Sequence, residues 1–259
     1  MANIPFLQDS PVVSANDAAE RVREQAELAA SVSCYGIGGI IVENKTGRII
    51  KAWGNRAQGQ LRSGEYYPLD PSNHGETQLV RWYYDNQDVI QSSLGYLPKP
   101  SELTVVTSLD PCAMCAGSLC AAGFHVGVIA PDDSGGGVNW DSSGMFPNQP
   151  AKIQEKLKSL FGYYKADGIS YRKLYQGNSD LLFNSETLTQ QVYKANVDVF
   201  SNSAPLVSAT RKEARINAKD LKDPLKLYAE NSTILALQQR FPEALKLRLT
   251  EQADISDSG

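Results

Sequence analysis

Apolar and polar positions alternate along the chain with two periods, and the changes between them mark out its elements. Residues 16–34, NDAAERVREQAELAASVSC, repeat apolar residues at helical spacing behind a good capping residue, which predicts a first helix packed on a sheet. GIGGIIVE (36–43) and RIIKAWG (48–54) are short, β-branched runs joined by NKTG, the composition of two strands and a tight hairpin turn. GETQLVRWYYDNQDVIQ (75–91) returns to the helical period, ELTVVTSL (102–109) reads as a strand, DPCAMCAGSLCAAG (110–123) opens a short helix, and FHVGVIA (124–130) is another strand. PAKIQEKLKSLFGYY (150–164) predicts a helix and ISYRKLY (169–175) a fifth strand. Strands alternating with helices require crossover connections, so part of the sheet is parallel.

These elements make an α/β domain over residues 1–178. Residues 179–259 form a mostly helical C-terminal extension, with SETLTQQVYKANVDVF (185–200) and DPLKLYAENSTILALQQRF (223–241) as its clearest helical segments. The connection from Asn55 to Asn73 is long for a compact domain, which favours a functional role; it carries Arg56, Arg62, Glu65, Tyr66 and Tyr67. There is no internal repeat and no low-complexity tract.

Composition narrows the class. With 259 residues, 42% of them hydrophobic, the chain can bury a substantial core. MANIPFLQDS has no basic segment leading into an apolar run, and no stretch approaches a membrane-spanning length, so the expectation is a cytoplasmic protein that neither crosses a membrane nor is secreted. The formal charge of −4 argues against nucleic acid as a partner, since phosphate contacts need a basic surface. Residues 1–175 carry 15 basic and 18 acidic residues, and residues 176–259 carry 10 and 11, so neither part supplies one. The cluster RKEARINAKDLK (211–222) has five basic against two acidic residues, but such a run on a helix is usually a solvated face.

The chemistry concentrates in two short stretches. In DPCAMCAG, Asp110 can cap a helix, Pro111 suits its first position, and Cys112 and Cys115 fall three apart in its first turn, on one face. Thiols at a helix N-terminus are deprotonated more easily, and the thiolate is the form that binds metal. In DPSNHGETQLV, His74 is followed two places later by Glu76. Asn73 and Glu76 also fit a capping box, which alone would account for the carboxylate without any chemistry. The cysteine pair, 38 residues after His74, shifts the balance to a metal site. Cys34, Cys120 and His125 read as core or strand-end residues, leaving three protein ligands and an open position for water, the count of a catalytic rather than a structural zinc. H-x-E followed by P-C-x-x-C is the spacing used by zinc deaminases.

IIVENKTGRIIKAWGNR, DPSNHGE and SLDPCAMCAG together resemble the cytidine deaminase superfamily, and most closely its branch of tRNA adenosine, guanine and cytosine deaminases, over roughly residues 16–178. The resemblance implies a three-layer α/β/α fold with a central five-stranded mixed sheet. It implies zinc held by His74, Cys112 and Cys115, Glu76 as the proton shuttle, and substrate contacts from Asn55 and from the backbone N–H of Gly75. Where relatives carry small apolar residues around the histidine, this chain has Asn73 and Gly75; Asn73 either caps the helix or touches substrate. The implied activity is hydrolytic deamination of a small aminated heterocycle by a protein that forms homodimers. Editing of adenosine in tRNA, and a non-catalytic zinc-stabilised module, are the alternatives. Tyr66, Tyr67 and Trp140 are candidate pocket walls, and the Gly-rich run DDSGGGVNW (132–140) is a candidate lid or a plain loop.

Overall fold

The structure, a computed structural model, describes residues 10–32, 34–56, 59–60, 66–67, 71–130, 148–167, 181–216 and 231–242. The predicted strand 169–175, the Gly-rich run and Trp140 lie outside the described residues, as do Arg62, Glu65 and the side chains of Tyr66 and Tyr67.

Helix α1 (Ala15–Ser31) starts one residue earlier than expected and stops three short of Cys34. Ser14 caps it, its hydroxyl accepting from the Asp17 N–H, which satisfies one of the orphan donors of the first turn. Strands β1 (Gly38–Glu43) and β2 (Ile49–Gly54) form the expected antiparallel hairpin. Gly47 closes it at φ +73°, and a Cβ there would also stand 2.3 Å from the Val12 carbonyl oxygen. Two-residue strands β3 (Gly59–Gln60) and β4 (Tyr66–Tyr67) pair within the long connection. A 3₁₀ turn (Pro71–Asn73) then leads into α2 (Gly75–Asp85) and α3 (Gln87–Leu94). The single helix expected over 75–91 is thus two, because the Asn86 amide donates to the Trp82 carbonyl at 2.8 Å and competes with the helical ladder.

Strand β5 (Leu103–Leu109), helix α4 (Ala113–Ala122), strand β6 (His125–Ala130), helix α5 (Ala151–Leu160) and strand β7 (Phe161–Tyr163) complete the main unit. The sheet runs β2-β1-β5-β6-β7, antiparallel across its first two pairings and parallel across the last two. It is the five-stranded mixed sheet anticipated, with one correction: the fifth strand is Phe161–Tyr163, which the helical pattern over 150–164 had absorbed. Short strands β8 (Lys165–Ala166) and β9 (Thr187–Leu188) pair in parallel, so Thr187 and Leu188 are strand where a helix over 185–200 was expected. Helix α6 (Gln190–Ile216) and helix α7 (Ser232–Arg240) follow.

Neighbouring strand residues take opposite faces of the sheet. Ile41, Val105, Val126 and Val128 pack with Leu79 and Tyr83 of α2, Leu119 of α4 and Leu157 of α5. Ile40, Val42, Val106 and Ile129 pack with Ala15, Ala18 and Val22 of α1. Two buried cores therefore make three layers, an α/β/α fold. Leu181 and Leu188 belong to the second core, α6 packs along α1, and Arg240 of α7 pairs with Glu27 of α1 at 2.6 Å. The described segments after residue 180 thus cover the α1 side of the sheet. No helix among the described residues is long and apolar enough to cross a membrane.

Candidate active site

Two helix starts converge at the C-terminal ends of β5 and β6, where ligand crevices form in sheets with parallel strands. His74 occupies the N-cap position of α2 with φ −61° and ψ 144°, and Cys112 occupies that of α4 with φ −64° and ψ 166°. This corrects both capping expectations. Neither Asn73 nor Asp110 is the N-cap residue, and Glu76 lies in the first turn of a helix that has no side-chain cap hydrogen bond. The Asn73 side chain instead accepts from the Gln78 amide at 3.1 Å, and the Gln78 amide also donates to the Ser72 carbonyl at 2.8 Å. Asp110 accepts a hydrogen bond from Tyr163 at 2.8 Å.

The potential ligand atoms form a regular triangle. His74 Nδ1 stands 3.6 Å from Cys112 Sγ and 3.6 Å from Cys115 Sγ, and the two sulfurs are 3.6 Å apart. A zinc ion with Zn–S of about 2.3 Å and Zn–N of about 2.0–2.1 Å in tetrahedral geometry separates its ligand atoms by roughly 3.5–3.8 Å. The three residues thus fit one face of a zinc tetrahedron. Among the described residues this is the group of His, Cys, Asp and Glu side chains able to hold a metal ion. Cys34, Cys120 and His125 are buried elsewhere, Cys120 within the core on the α4 side of the sheet.

Electrostatics favour anions here, because two helix N-termini point their partial positive charge into the crevice. The Cys112 thiol is held down to about 4, first by its hydrogen bond with Cys115, with His74 also helping against the cost of burial. Cys115 is pushed up by the same hydrogen bond and by burial, so the pair shares a proton. Thr77 approaches from α2 and puts its hydroxyl 3.4 Å from Cys115 Sγ. Glu76 is 5% exposed; burial pushes its carboxyl up, while its own backbone N–H and the positive side of His74 act the other way.

Asn55 reaches this site through a β-bulge. Ile41 pairs with Lys51 while Val42 pairs with Ile49, so Ile50 is the extra residue of β2. Beyond the bulge, Lys51 and Trp53 face α2, with the Lys51 ammonium 4.7 Å from the Trp53 ring and 5.2 Å from that of Trp82. Gly54 faces α1, where a Cβ would come within 2.5 Å of the Gln25 carbonyl oxygen. Asn55, 1% exposed, directly follows β2, and its backbone nitrogen is 3.6 Å from where a Gly75 Cβ would be. The Arg56 N–H then donates to the Asn73 carbonyl at 3.0 Å, tying the exit of β2 to the entry of α2. His74, Cys112 and Cys115 are therefore brought together with Glu76 beside them, and backbone contacts place Asn55 next to Gly75 and Arg56 next to Asn73. Thr77 and Tyr163 are additions. Thr77 adjoins the H-G-E motif, but nothing near Tyr163 in sequence signals a partner 53 residues away.

No family model matches this chain, and no curated protein does so by sequence. Solved deaminase structures are similar to it in the course of the chain. One comes from a study of A-to-I editing by tRNA:A34 deaminases at the wobble position of transfer RNA; it is 19% identical, with 70% of this chain and 97% of that one covered and a TM-score of 0.40. Another is guanine deaminase from Nitrosomonas europaea, 15% identical, with 74% of this chain and 89% of that one covered and a TM-score of 0.42. A third, in complex with 2,6-diaminopurine, is 16% identical, with 76% of this chain and 86% of that one covered and a TM-score of 0.44.

Proposed function

We propose that this chain is a zinc-dependent hydrolytic deaminase of a small aminated nitrogen heterocycle, a free base, nucleoside or related molecule. The observation that carries the reading is the 3.6 Å triangle of His74, Cys112 and Cys115 with the buried carboxylate of Glu76 beside it. His74, Cys112 and Cys115 would hold the zinc, which when bound would supply the Lewis acidity that makes a water nucleophile available near neutral pH.

The chain's own residues do the rest. Glu76 follows His74 by two residues and is outside the His74–Cys112–Cys115 group, so its carboxylate is available to move protons. It takes a proton from the attacking water and delivers it to the ring nitrogen next to the amino-bearing carbon. As the exocyclic C–N bond breaks, it relays a proton to the departing amine. Heterocycle and water thus become the oxo-heterocycle and ammonia, with one carboxylate acting as both base and acid. Asn55, with a donor and an acceptor, reads the ring edge, and the Gly75 N–H at the start of α2 offers a second fixed donor. Asn73 supports this edge through Gln78.

A small substrate agrees with the formal charge of −4, which offers a polyanion little attraction. The reading includes a homodimer in the cytoplasm; the solution mass tests the assembly. Ammonia release from a panel of purine and pyrimidine bases, nucleosides and pterins tests the activity. At least one member is expected to release ammonia in a zinc-dependent manner. Bound zinc with no release across the panel would instead support a zinc-stabilised binding module.

A further inference from the structure

The turn bearing Cys112 leaves β5 through Asp110 and Pro111, and its geometry decides where both sulfurs stand. Proline fixes one dihedral of that turn, so the setting of Asp110 largely determines the rest. Asp110 is 3% exposed and accepts the 2.8 Å hydrogen bond of the Tyr163 hydroxyl, itself on a residue 3% exposed. Tyr163 ends β7 and pairs with Val128 of β6, while β6 pairs with β5 up to Leu109 opposite Ala130. The phenol therefore reaches across β6, anchoring the cysteine turn to the edge strand of the sheet.

We propose that Tyr163 is a positioning residue for the metal centre: its hydrogen bond to Asp110 holds the turn in the register that keeps Cys112 and Cys115 at ligand spacing, and thereby sets zinc affinity. The inference rests on the metal reading of the site. A hydroxyl donating to a buried carboxylate makes one of the stronger protein hydrogen bonds, and few competing waters reach it. Partners behind metal ligands typically tune affinity by about 10–100-fold. The aromatic ring belongs to the core around Val128 and Leu157, so removing only the oxygen leaves that packing in place.

The test uses the full-length chain with Tyr163→Phe, zinc affinity being measured by competition with a chromophoric chelator and the melting of metal-free protein being followed in parallel. The expected result is zinc binding weaker by about 10-fold or more, beyond a modest fall in the melting of the metal-free protein as the buried Asp110 carboxylate loses a donor. Zinc affinity equal to the wild type, with or without a fall in melting temperature, would overturn the proposal and leave the metal reading intact. Should Tyr163→Phe not fold, Asp110→Asn keeps the shape and an acceptor oxygen but weakens the bond. It is expected to bind zinc several-fold more weakly, and an unchanged affinity would overturn the proposal. A wild-type chain that takes up no zinc would overturn the metal reading itself.

Discussion

The hydroxyl of Thr77, on the first turn of α2, lies 3.4 Å from the sulfur of Cys115, on the first turn of α4. The contact bridges the two helices that share the ligand set. A metal-bound thiolate has no proton to give, so in the zinc form Thr77 must be the donor.

Thr77→Val keeps the shape and deletes that donor. Zinc affinity, read by chelator competition, is expected to fall by about 10-fold, since hydrogen bonds to ligands orient them and tune the metal. An unchanged affinity would reduce the contact to packing.

Cys112→Ser and Cys115→Ser each remove a sulfur from the 3.6 Å triangle. Metal analysis of the purified wild type is expected to give about one zinc per chain, the single ligand set holding one ion, and each variant is expected to lose it. Retention of stoichiometric zinc by both would refute the ligand assignment.

For Asn55→Ala, turnover is expected to fall while zinc content stays the same, because on the proposed reading the amide meets substrate and is not a metal ligand. A site that has lost such a partner discriminates poorly between heterocycles. Comparing kcat/KM across the substrate panel checks this; a uniform loss together with loss of zinc would place Asn55 in the scaffold instead.

Leu188 is fully buried against the α1 side of the sheet, and Glu186 nearby accepts the Ala15 N–H at 2.6 Å. Leu188→Ala is expected to cost about 2–5 kcal/mol by cavity formation, measured by denaturant unfolding. A loss below 0.5 kcal/mol, roughly the level of a surface substitution, would show that residues after 180 contribute little to the core.

How much of this could be read from the sequence depended on how local each feature is. The β1–β2 hairpin, β5, α4 and β6 were legible because strand alternation and helical period are written within each segment. The H-G-E and P-C-x-x-C stretches pointed to the His74, Cys112 and Cys115 group because each sits at a helix start. Strand β7 was not legible: three residues are too few to show a period, and Phe161–Tyr163 directly continues the helical pattern of α5. The bulge at Ile50 is set by pairing with β1 and leaves no mark of its own in RIIKAWG. Thr187 and Leu188 became strand through a partner more than twenty residues away. The Tyr163–Asp110 bond is non-local in the same sense.

The central claim is that Glu76 moves protons at a zinc site it does not help to build. Its most direct test is one preparation of Glu76→Ala assayed for both zinc content and ammonia release on the best wild-type substrate. Full zinc and turnover lower by about 10²–10⁴-fold are expected, the usual contribution of general acid–base catalysis. Near-wild-type ammonia release from the zinc-loaded variant would contradict it.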